Sequence, residues 1–192
     1  MFICLTSAYE YETKRDDRQL DMLIAAVGTG DREALAELYS LTQVAVYSFC
    51  LSLLKNAQDA EDALHDTYLD LFRSAEGYQT KGKPMAWIIT VAKNRCLMRI
   101  RDRQKTAELP TEDWDRVSDT ATGTDLNDRI ALEACLQKLT DEERQIVVLH
   151  AVSGLKHREI ARVLEKPLST VLSKYHRAMK KLKAFLAEGE SA

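Results

Sequence analysis

The last third of the chain has the pattern of two helices separated by a tight turn. A short amphipathic stretch at 156–164 is followed by a break at 165–167 and by a longer amphipathic stretch that ends near 187. Pro167 fits the first turn of the second helix, because the N–H that proline lacks would be unpaired there. The pattern predicts a helix-turn-helix.

The second helix of this motif is strongly basic. Between residues 168 and 187 it holds five Lys or Arg and no Asp or Glu. At 100° per residue, its apolar side chains fall on one face and its hydroxyl and cationic side chains on the other. Such a helix can enter the major groove of duplex DNA, whereas an ordinary surface helix with solvated lysines is the alternative. The candidate residues for base-edge and phosphate contacts are Ser169, Thr170, Ser173, Lys174, Arg177 and Lys181.

The composition favours an all-α fold. Only seven Gly and three Pro occur in 192 residues, and strong helix formers dominate the long runs between them. We predict two small helical domains, a four-helix N-terminal module and a C-terminal four-helix helix-turn-helix module, joined by a flexible linker. The predicted divisions are a disordered N-terminal extension at 1–17, a first domain at 18–105, a linker at 106–126 and a second domain at 127–192.

The predicted linker is acidic. Residues 106–128 hold seven Asp or Glu and one basic residue, with no apolar period. From 129 to 192 the balance reverses to 12 Lys or Arg against 8 Asp or Glu. The formal net charge of −3 therefore hides a segregation of charge along the chain. We expect an extended acidic tether next to a basic domain.

The sequence carries no sign of catalytic chemistry. It has no glycine-rich phosphate loop, no nucleophile motif and no metal-ligand cluster, so we expect no enzyme activity, cofactor or small-molecule substrate. Cys4, Cys50, Cys96 and Cys135 lie far apart and the four His form no short ligand pair, which argues against a zinc site. Three of the cysteines lie in apolar helical patterns and are predicted to be buried thiols. No apolar run reaches membrane-spanning length, so we expect a cytoplasmic protein and not an integral membrane protein.

The helix predicted at 58–74 has an acidic outer face. Counted from Ala60, residues that include Asp62 and Asp66 point away from the apolar stripe, with Leu69 in the middle of them. An apolar residue inside a charged rim is typical of a protein-binding patch. A solvated acidic face without a partner is the alternative, and the sequence leaves both open.

The helix predicted at 84–103 and the residues just after it are basic. Six Lys or Arg and one Asp occur between 93 and 105, and Trp87, Asn94 and Arg101 lie opposite the core stripe. An aromatic ring, an amide and cations together suit stacking on unpaired bases and neutralising phosphates. Burial of Trp87 against the second helix is the alternative for the indole, which makes the basic row the stronger signal.

These features occur in an order that resembles the extracytoplasmic-function (ECF) group of bacterial RNA polymerase sigma factors, in the sigma-70 family. The resemblance covers nearly the whole chain after Leu20. In the first domain it depends on GDREALAELY (30–39), DAEDALHDTYLDLF (59–72) and KPMAWIITVAKNRCLMRIR (83–101). In the second domain it depends on LTDEERQIVVLHAVSGLKHREIARVLEKPLSTVLSKYHRAMKKLK (139–183).

The resemblance implies a sigma factor that binds core RNA polymerase and directs it to promoter DNA. It implies that the acidic helix docks on the polymerase clamp, and the matching residues are Asp59, Glu61, Asp62, Asp66 and Leu69. It also implies that the basic helix and the loop before it melt and capture the minus-ten element. The matching residues there are Tyr78, Lys81, Lys83, Trp87, Asn94, Arg95, Arg99 and Arg101. The helix-turn-helix would read the minus-thirty-five element as duplex.

The chain departs from the usual pattern of the family at several positions. His65 stands where Gln is common, Glu165 where Gly is common near the turn, and Lys93 where Arg is common between Ala and Asn. Lys174 in place of Arg gives up planar bidentate recognition, which predicts an unusual or loose minus-thirty-five preference.

Two further expectations concern partners. The family often uses an anti-sigma factor, which makes such a protein a candidate partner of this chain. The alternative to a sigma factor is a stand-alone helix-turn-helix regulator that binds operator DNA without polymerase. That alternative leaves the acidic and basic helices of the first domain unexplained.

Overall fold

The computed structural model of the protein describes residues 16–80, 82–106 and 136–189, and the regular elements among them are helical. This confirms the predicted all-α class. The helices are α1 (Asp17–Gly28), α2 (Arg32–Leu54), α3 (Ala57–Ser74), α4 (Pro84–Thr106), α5 (Asp141–Ala151), α6 (His157–Val163) and α7 (Leu168–Gly189). A 3₁₀ turn, Ala75–Gly77, follows α3.

Short polar side chains set where the first three helices begin. Asp16, Asp31 and Asn56 each accept a hydrogen bond from a backbone N–H in the turn that follows. The N-terminal extension was predicted to include residue 17, but α1 begins at Asp17 because Asp16 supplies its cap. Residues 1–15 of that extension lie outside the described residues. Lys55, in the left-handed conformation at φ 55°, separates α2 from α3.

Helix α2 is the central helix of the first domain. Val46, Phe49 and Cys50 have no exposed surface, and the helix packs against α1, α3 and α4. A hydrogen bond of 2.6 Å between the hydroxyls of Thr42 and Tyr68 joins α2 to α3 inside this core. By length and composition, α2 is the one helix of the described residues apolar enough to cross a membrane. Its position at the centre of the core explains that apolar character.

The second domain is built around α5, α6 and α7. A capping box between Thr140 and Glu143 starts α5. The predicted break before α7 is confirmed, since the chain turns at Glu165 with φ 54°. Before α5, residues 136 and 137 are helical, and the preceding part of the predicted second domain, 127–135, lies outside the described residues. Of the linker predicted at 106–126, only Thr106 is described, as the last residue of α4.

The two domains pack against each other. Helix α2 lies against α5, and α4 lies against α6. One continuous cluster of buried apolar residues includes Phe49 and Ile88 from the first domain and Leu149 and Ile160 from the second. Amphipathic periodicity does not predict this arrangement, because it indicates that a face is buried without saying what buries it.

Candidate nucleic-acid interface

The N-terminal half of α7 presents polar side chains to solvent. Ser169, Ser173 and Arg177 are exposed, and Thr170 is half-buried. The Ser173 hydroxyl donates a hydrogen bond to the Thr170 carbonyl at 3.0 Å, and Arg177 Nε donates to the Ser173 carbonyl at 3.4 Å. Val171 of the same helix has no exposed surface. The opposition of buried and polar faces predicted for this helix is therefore present.

Two lysines of the predicted DNA-reading row contact α5 within the same domain. The Lys174 ammonium pairs with Glu142, and Lys181 Nζ lies 2.7 Å from Glu143 Oε2. Hydrogen bonds from Lys166 and Lys174 lower the pKa of Glu142 to about 2. Lys174 and Lys181 were predicted to point away from the domain. That was wrong, because their long side chains reach back to carboxylates on α5.

The acidic face of α3 and the basic face of α4 face each other. The Arg95 guanidinium bonds to Asp70, and Arg99 donates to Asp62 and to Asp66, at 3.2 Å each. Asp59 pairs with Arg99, at 3.8 Å, and with Arg103. The hydrogen bond from Arg95 to Asp70, with the nearby charges, raises the pKa of the Arg95 guanidinium further.

This network corrects the prediction that both faces are open. Asp62 and Asp66 were predicted to point to solvent, and Arg95 and Arg99 to point toward DNA, but these four residues are half-buried partners. Counting 100° per residue along one helix cannot reveal a neighbouring helix of opposite charge. Asp70, which was not among the predicted site residues, is the main partner of Arg95.

Part of each helix nevertheless remains open. On α4, Asn94 and Arg101 are exposed, and Met98 keeps 49% of its surface. On α3, Leu69 keeps 54% of its surface, and Glu61 is half-buried. The open faces of α3 and α4 are therefore smaller than predicted, but each retains an exposed apolar residue beside polar ones.

The loop before α4 is anchored by aromatic packing. The rings of Tyr78 and Trp87 have centroids 4.6 Å apart, and the Tyr78 hydroxyl donates to Asp21 Oδ1 at 2.5 Å. Burial, followed by the hydrogen bond to Asp21, raises the pKa of the Tyr78 hydroxyl. Trp87 is half-buried against the core, which favours the packing alternative for its indole. Lys81, another predicted residue of this loop, lies outside the described residues.

Two lysines of the loop and of α4 contact the second domain. Lys83 Nζ lies 3.2 Å from Glu159 Oε1 in α6. Lys93 Nζ donates to the Val163 carbonyl at 2.9 Å and to Glu165 Oε1 at 2.6 Å. The loop before α4 and α4 itself therefore each contact the helix-turn-helix domain through one lysine.

Three histidines converge in the second domain, which spacing along the chain did not indicate. The ring centroids of His150 and His157 are 4.5 Å apart, and Tyr175 lies 5.0 Å from the first and 4.6 Å from the second. His176 adjoins Tyr175 on α7. Burial, with His150 and His176 nearby, lowers the pKa of His157. Within the described ranges, no group of three or more His, Cys, Asp or Glu is placed to hold a metal ion.

The buried thiols predicted for the first domain are confirmed for two of the cysteines. Cys50 and Cys96 are free and buried, while Cys4 and Cys135 lie outside the described residues. A hydrogen bond with Cys96, together with burial, raises the pKa of the Cys50 thiol well above its usual value. Since the thiolate is the reactive form, the Cys50 thiol is a structural group.

Both domains match models of known sigma-factor regions. Sigma-70 region 2 matches residues 38–106, and sigma-70 region 4 matches residues 129–182. The ECF RNA polymerase sigma factor SigK of Mycobacterium ulcerans is 31% identical over 173 residues, which cover 85% of this chain and 91% of that protein. SigK of Mycolicibacterium vanbaalenii is 29% identical over 177 residues, which cover 88% and 89% of the two chains. The chain belongs to the ECF group of RNA polymerase sigma factors.

Solved structures share the fold. CnrH, solved in complex with the cytosolic domain of CnrY, matches with a TM-score of 0.63 and 21% identity, over 88% of this chain and 98% of its own. The sigma factor RpoE, solved with the anti-sigma factor NepR from Bartonella quintana, matches with a TM-score of 0.65 and 22% identity, over 79% and 96%.

Family membership settles the class of function. A sigma factor is a non-catalytic initiation factor that brings core RNA polymerase to promoter DNA, and this is the function of the chain. The alternative of a stand-alone helix-turn-helix regulator is wrong, because the first domain matches a sigma region as well as the second.

Proposed function

We propose that the two domains read different promoter elements in different states of the DNA. In this proposal, α7 reads the minus-thirty-five element as duplex, and α4 with its preceding loop captures the melted minus-ten element. Each site alone binds weakly. Attachment of both to polymerase raises their effective concentration and makes recognition depend on the spacing between the elements.

The observation that carries the proposal is the polar face of α7. Hydroxyl groups of Ser169, Thr170 and Ser173 and the guanidinium of Arg177 lie on one side of a helix whose other side is buried. These are the donors and acceptors that contact base edges in the major groove. Lys174 and Lys181, which pair with α5, would have to exchange carboxylates for phosphates on binding.

On α4, the open face supports capture of unpaired bases. Asn94 and Arg101 are exposed, with Met98 between them on the same helix. We assign direct contact with DNA to this face and to Lys83. Arg95 and Arg99, bonded to α3, position the helix through their carboxylate partners. The Tyr78–Trp87 pair fixes where the loop joins the helix.

For polymerase, we propose that the open face of α3 is the docking surface. Leu69 is its apolar centre, and Glu61 and the outer edges of Asp62 and Asp66 form a charged rim. Asp59 is not part of the docking surface in this proposal, because its carboxylate is largely buried against Arg99 and Arg103. Its role is to hold α4 against α3.

The proposal also covers enzymatic activity, cellular location and control by a partner protein. The protein has no enzymatic activity of its own and works in the cytoplasm, where its polymerase partner is found. RpoE from Bartonella quintana was solved with an anti-sigma factor. We propose that a protein of that class also controls this chain, on the strength of a shared fold and family.

The duplex assignment is tested by substituting Arg177 in transcription assays with purified core polymerase. Arg177→Ala should weaken recognition of the cognate promoter by about 1–3 kcal/mol. Arg177→Lys keeps the charge but loses the planar fork, so it separates base reading from phosphate contact. If Arg177 contacts a base edge, both variants should lose recognition, and the lost discrimination should be confined to one base pair of the promoter. Arg32→Ala, which removes the same charge from α2, is the control, and wild-type transcription by Arg177→Ala would refute the assignment.

Polymerase docking is tested by substituting Leu69. Leu69→Asp places a charge at the centre of the proposed contact and should reduce capture by core polymerase by at least about tenfold, typical of a hot-spot residue. Met22→Asp on α1 is the matched control, since Met22 is the more exposed apolar residue, at 67%. Equal capture of the two variants would move the docking surface elsewhere. Charge reversal at Asp62 or Asp66 is a poorer test, because it also breaks bonds to Arg99.

A further inference from the structure

The helix-turn-helix domain holds one cation of the proposed minus-ten surface and a second cation from elsewhere on α4. Lys83, in the loop before α4, pairs with Glu159 of α6, and Lys93, within α4, bonds to the chain that connects α6 to α7. Each pairing joins a DNA-binding element of one domain to a carboxylate of the other. The contact therefore joins α4 and the loop before it to α6 and the turn that precedes α7.

Lys93 acts as a cap for a helix in the other domain. Its ammonium donates at 2.9 Å to the carbonyl of Val163, the last residue of α6, and only 14% of its side chain is exposed. The carbonyl end of a helix carries unpaired acceptors and a partial negative charge, both of which favour a cation. In this structure, α6 obtains that cation from α4.

Glu165 completes the contact from a strained position. Its backbone lies in the left-handed region at φ 54°, which is unfavourable for a residue with a side chain. Its carboxylate lies 2.6 Å from Lys93 Nζ, although 81% of the side chain is exposed. The hydrogen bond from Lys93 lowers the pKa of this carboxyl, so the pair is charged at neutral pH.

The closed arrangement cannot read both promoter elements at once. Lys93 and Glu165 are in contact, and α7 begins three residues after Glu165, so the first turn of α7 lies close to α4. Elements separated by about twenty base pairs are more than about 60 Å apart along duplex DNA at 3.4 Å per base pair. A linker of about twenty residues can span about 70 Å when extended. Separation of the domains is therefore required and is within reach.

We propose that the free protein is held closed by an intramolecular interface between its two domains. In this interface the Lys93 ammonium, on α4, bonds to the carbonyl end of α6 and to Glu165. The helix-turn-helix domain is thus a partner for helix α4 and for Lys83 until polymerase separates the two domains. This inference rests on the proposed assignment of α4 to the minus-ten element, but closure itself is measurable without polymerase or DNA.

The test is small-angle X-ray scattering of the full-length free protein. Lys93→Glu should expand it, because a carboxylate would face both Glu165 and the Val163 carbonyl. Glu165→Lys should expand it as well, by repulsion between two ammonium groups. The double variant Lys93→Glu/Glu165→Lys restores the ion pair but not the bond to Val163, so its radius of gyration should lie between those of the single variants and wild type. Arg101→Glu, an equal charge reversal on the exposed side of α4, is the control and should leave the protein compact.

Transcription with purified core polymerase supplies the second readout. Glu165→Gln weakens closure without touching a proposed DNA or polymerase contact. It should lower the protein concentration needed for half-maximal transcription by up to about fivefold, the range for one exposed ion pair. An expanded wild-type protein, or single reversals as compact as Arg101→Glu, would overturn the proposal. If Lys93→Glu unfolds by circular dichroism, Glu165→Lys at its exposed site decides alone.

The two experiments separate this proposal from the proposed promoter assignments. Suppose that the radius of gyration changes with the charges at 93 and 165 as expected, but minus-ten capture does not depend on Asn94 or Arg101. The closed interface would then stand, and the assignment of α4 to the minus-ten element would be rejected. If the radius of gyration does not change with the charges at 93 and 165 while the promoter assignments hold, only the closed interface would be rejected.

Discussion

Helix α4 meets α3 and α6 with different cations. Toward α3 it presents Arg95, Arg99 and Arg103, which face four aspartates of the same domain. Toward α6 it presents Lys93, which faces one carbonyl and one exposed carboxylate of the other domain. One helix therefore takes part in a contact within a domain and in a contact between domains.

The difference follows from the chemistry of the two cations. The planar guanidinium of Arg99 donates through Nη1 to Asp62 and through Nη2 to Asp66, so one side chain joins two carboxylates. An ammonium is a compact and strongly hydrated charge, and its exposed partner Glu165 remains largely in water. The arginine contact suits an interface that stays closed, whereas the lysine contact suits one that opens.

The largest effect should come from breaking the arginine contact. Arg99→Met removes the cation shared by Asp62 and Asp66 and should lower the unfolding free energy of the first domain by about 2 kcal/mol. This is less than the roughly 3–5 kcal/mol for a fully buried pair, since 27% of the Arg99 side chain is exposed. Urea unfolding followed by circular dichroism measures the loss. Arg101→Met, the same change on the exposed side of α4, is the control, and equal midpoints for both variants would contradict the comparison.

A smaller effect should come from breaking the lysine contact. Lys93→Met keeps most of the length of the side chain but leaves the Val163 carbonyl and Glu165 without the ammonium, which should cost about 1 kcal/mol or less. The same urea titration measures this difference. Lys93→Arg retains the charge and should restore most of the loss. The contrast between the two interfaces would disappear if Lys93→Met cost as much as Arg99→Met.

The smallest effect should be a loss of stability of the second domain at acidic pH. His157 has a pKa below its ordinary value of 6.5 in the folded state, so folding favours its neutral form. Its contribution is fully present above the unfolded pKa and is lost as pH falls from about 6.5 through the folded pKa. Stability of this domain should therefore decline on acidification in that window.

His157→Phe tests this dependence because it keeps an aromatic ring beside His150 and Tyr175 while removing the titration. Thermal unfolding between pH 5 and 7 should show a shallower decline for this variant than for wild type. His65→Phe, at an exposed position on α3, is the control. Identical pH profiles for wild type and His157→Phe would show that another group governs the acid response.

Local patterns predicted the helices well. The break at Glu165 and the buried face of α7 around Val171 both depend on residues close together in sequence. The same patterns placed Leu69 on an exposed face. Prediction was wrong where a long cation found a carboxylate on another helix, as Lys174 did with Glu142 and Arg95 with Asp70.

Local sequence patterns by themselves determined the all-α class and the helix-turn-helix, because helix periodicity, caps and turn residues act over a few positions along the chain. The order of the motifs indicated the sigma family by resemblance. Only the tertiary structure decided which charged faces are open, that Asp62 and Asp66 meet Arg99, and that Lys93 reaches the end of α6. Ion pairs between helices depend on how those helices are arranged in space. Partners such as Lys93 and Glu165 are 72 residues apart in sequence and 2.6 Å apart in the fold, a proximity that no local pattern encodes.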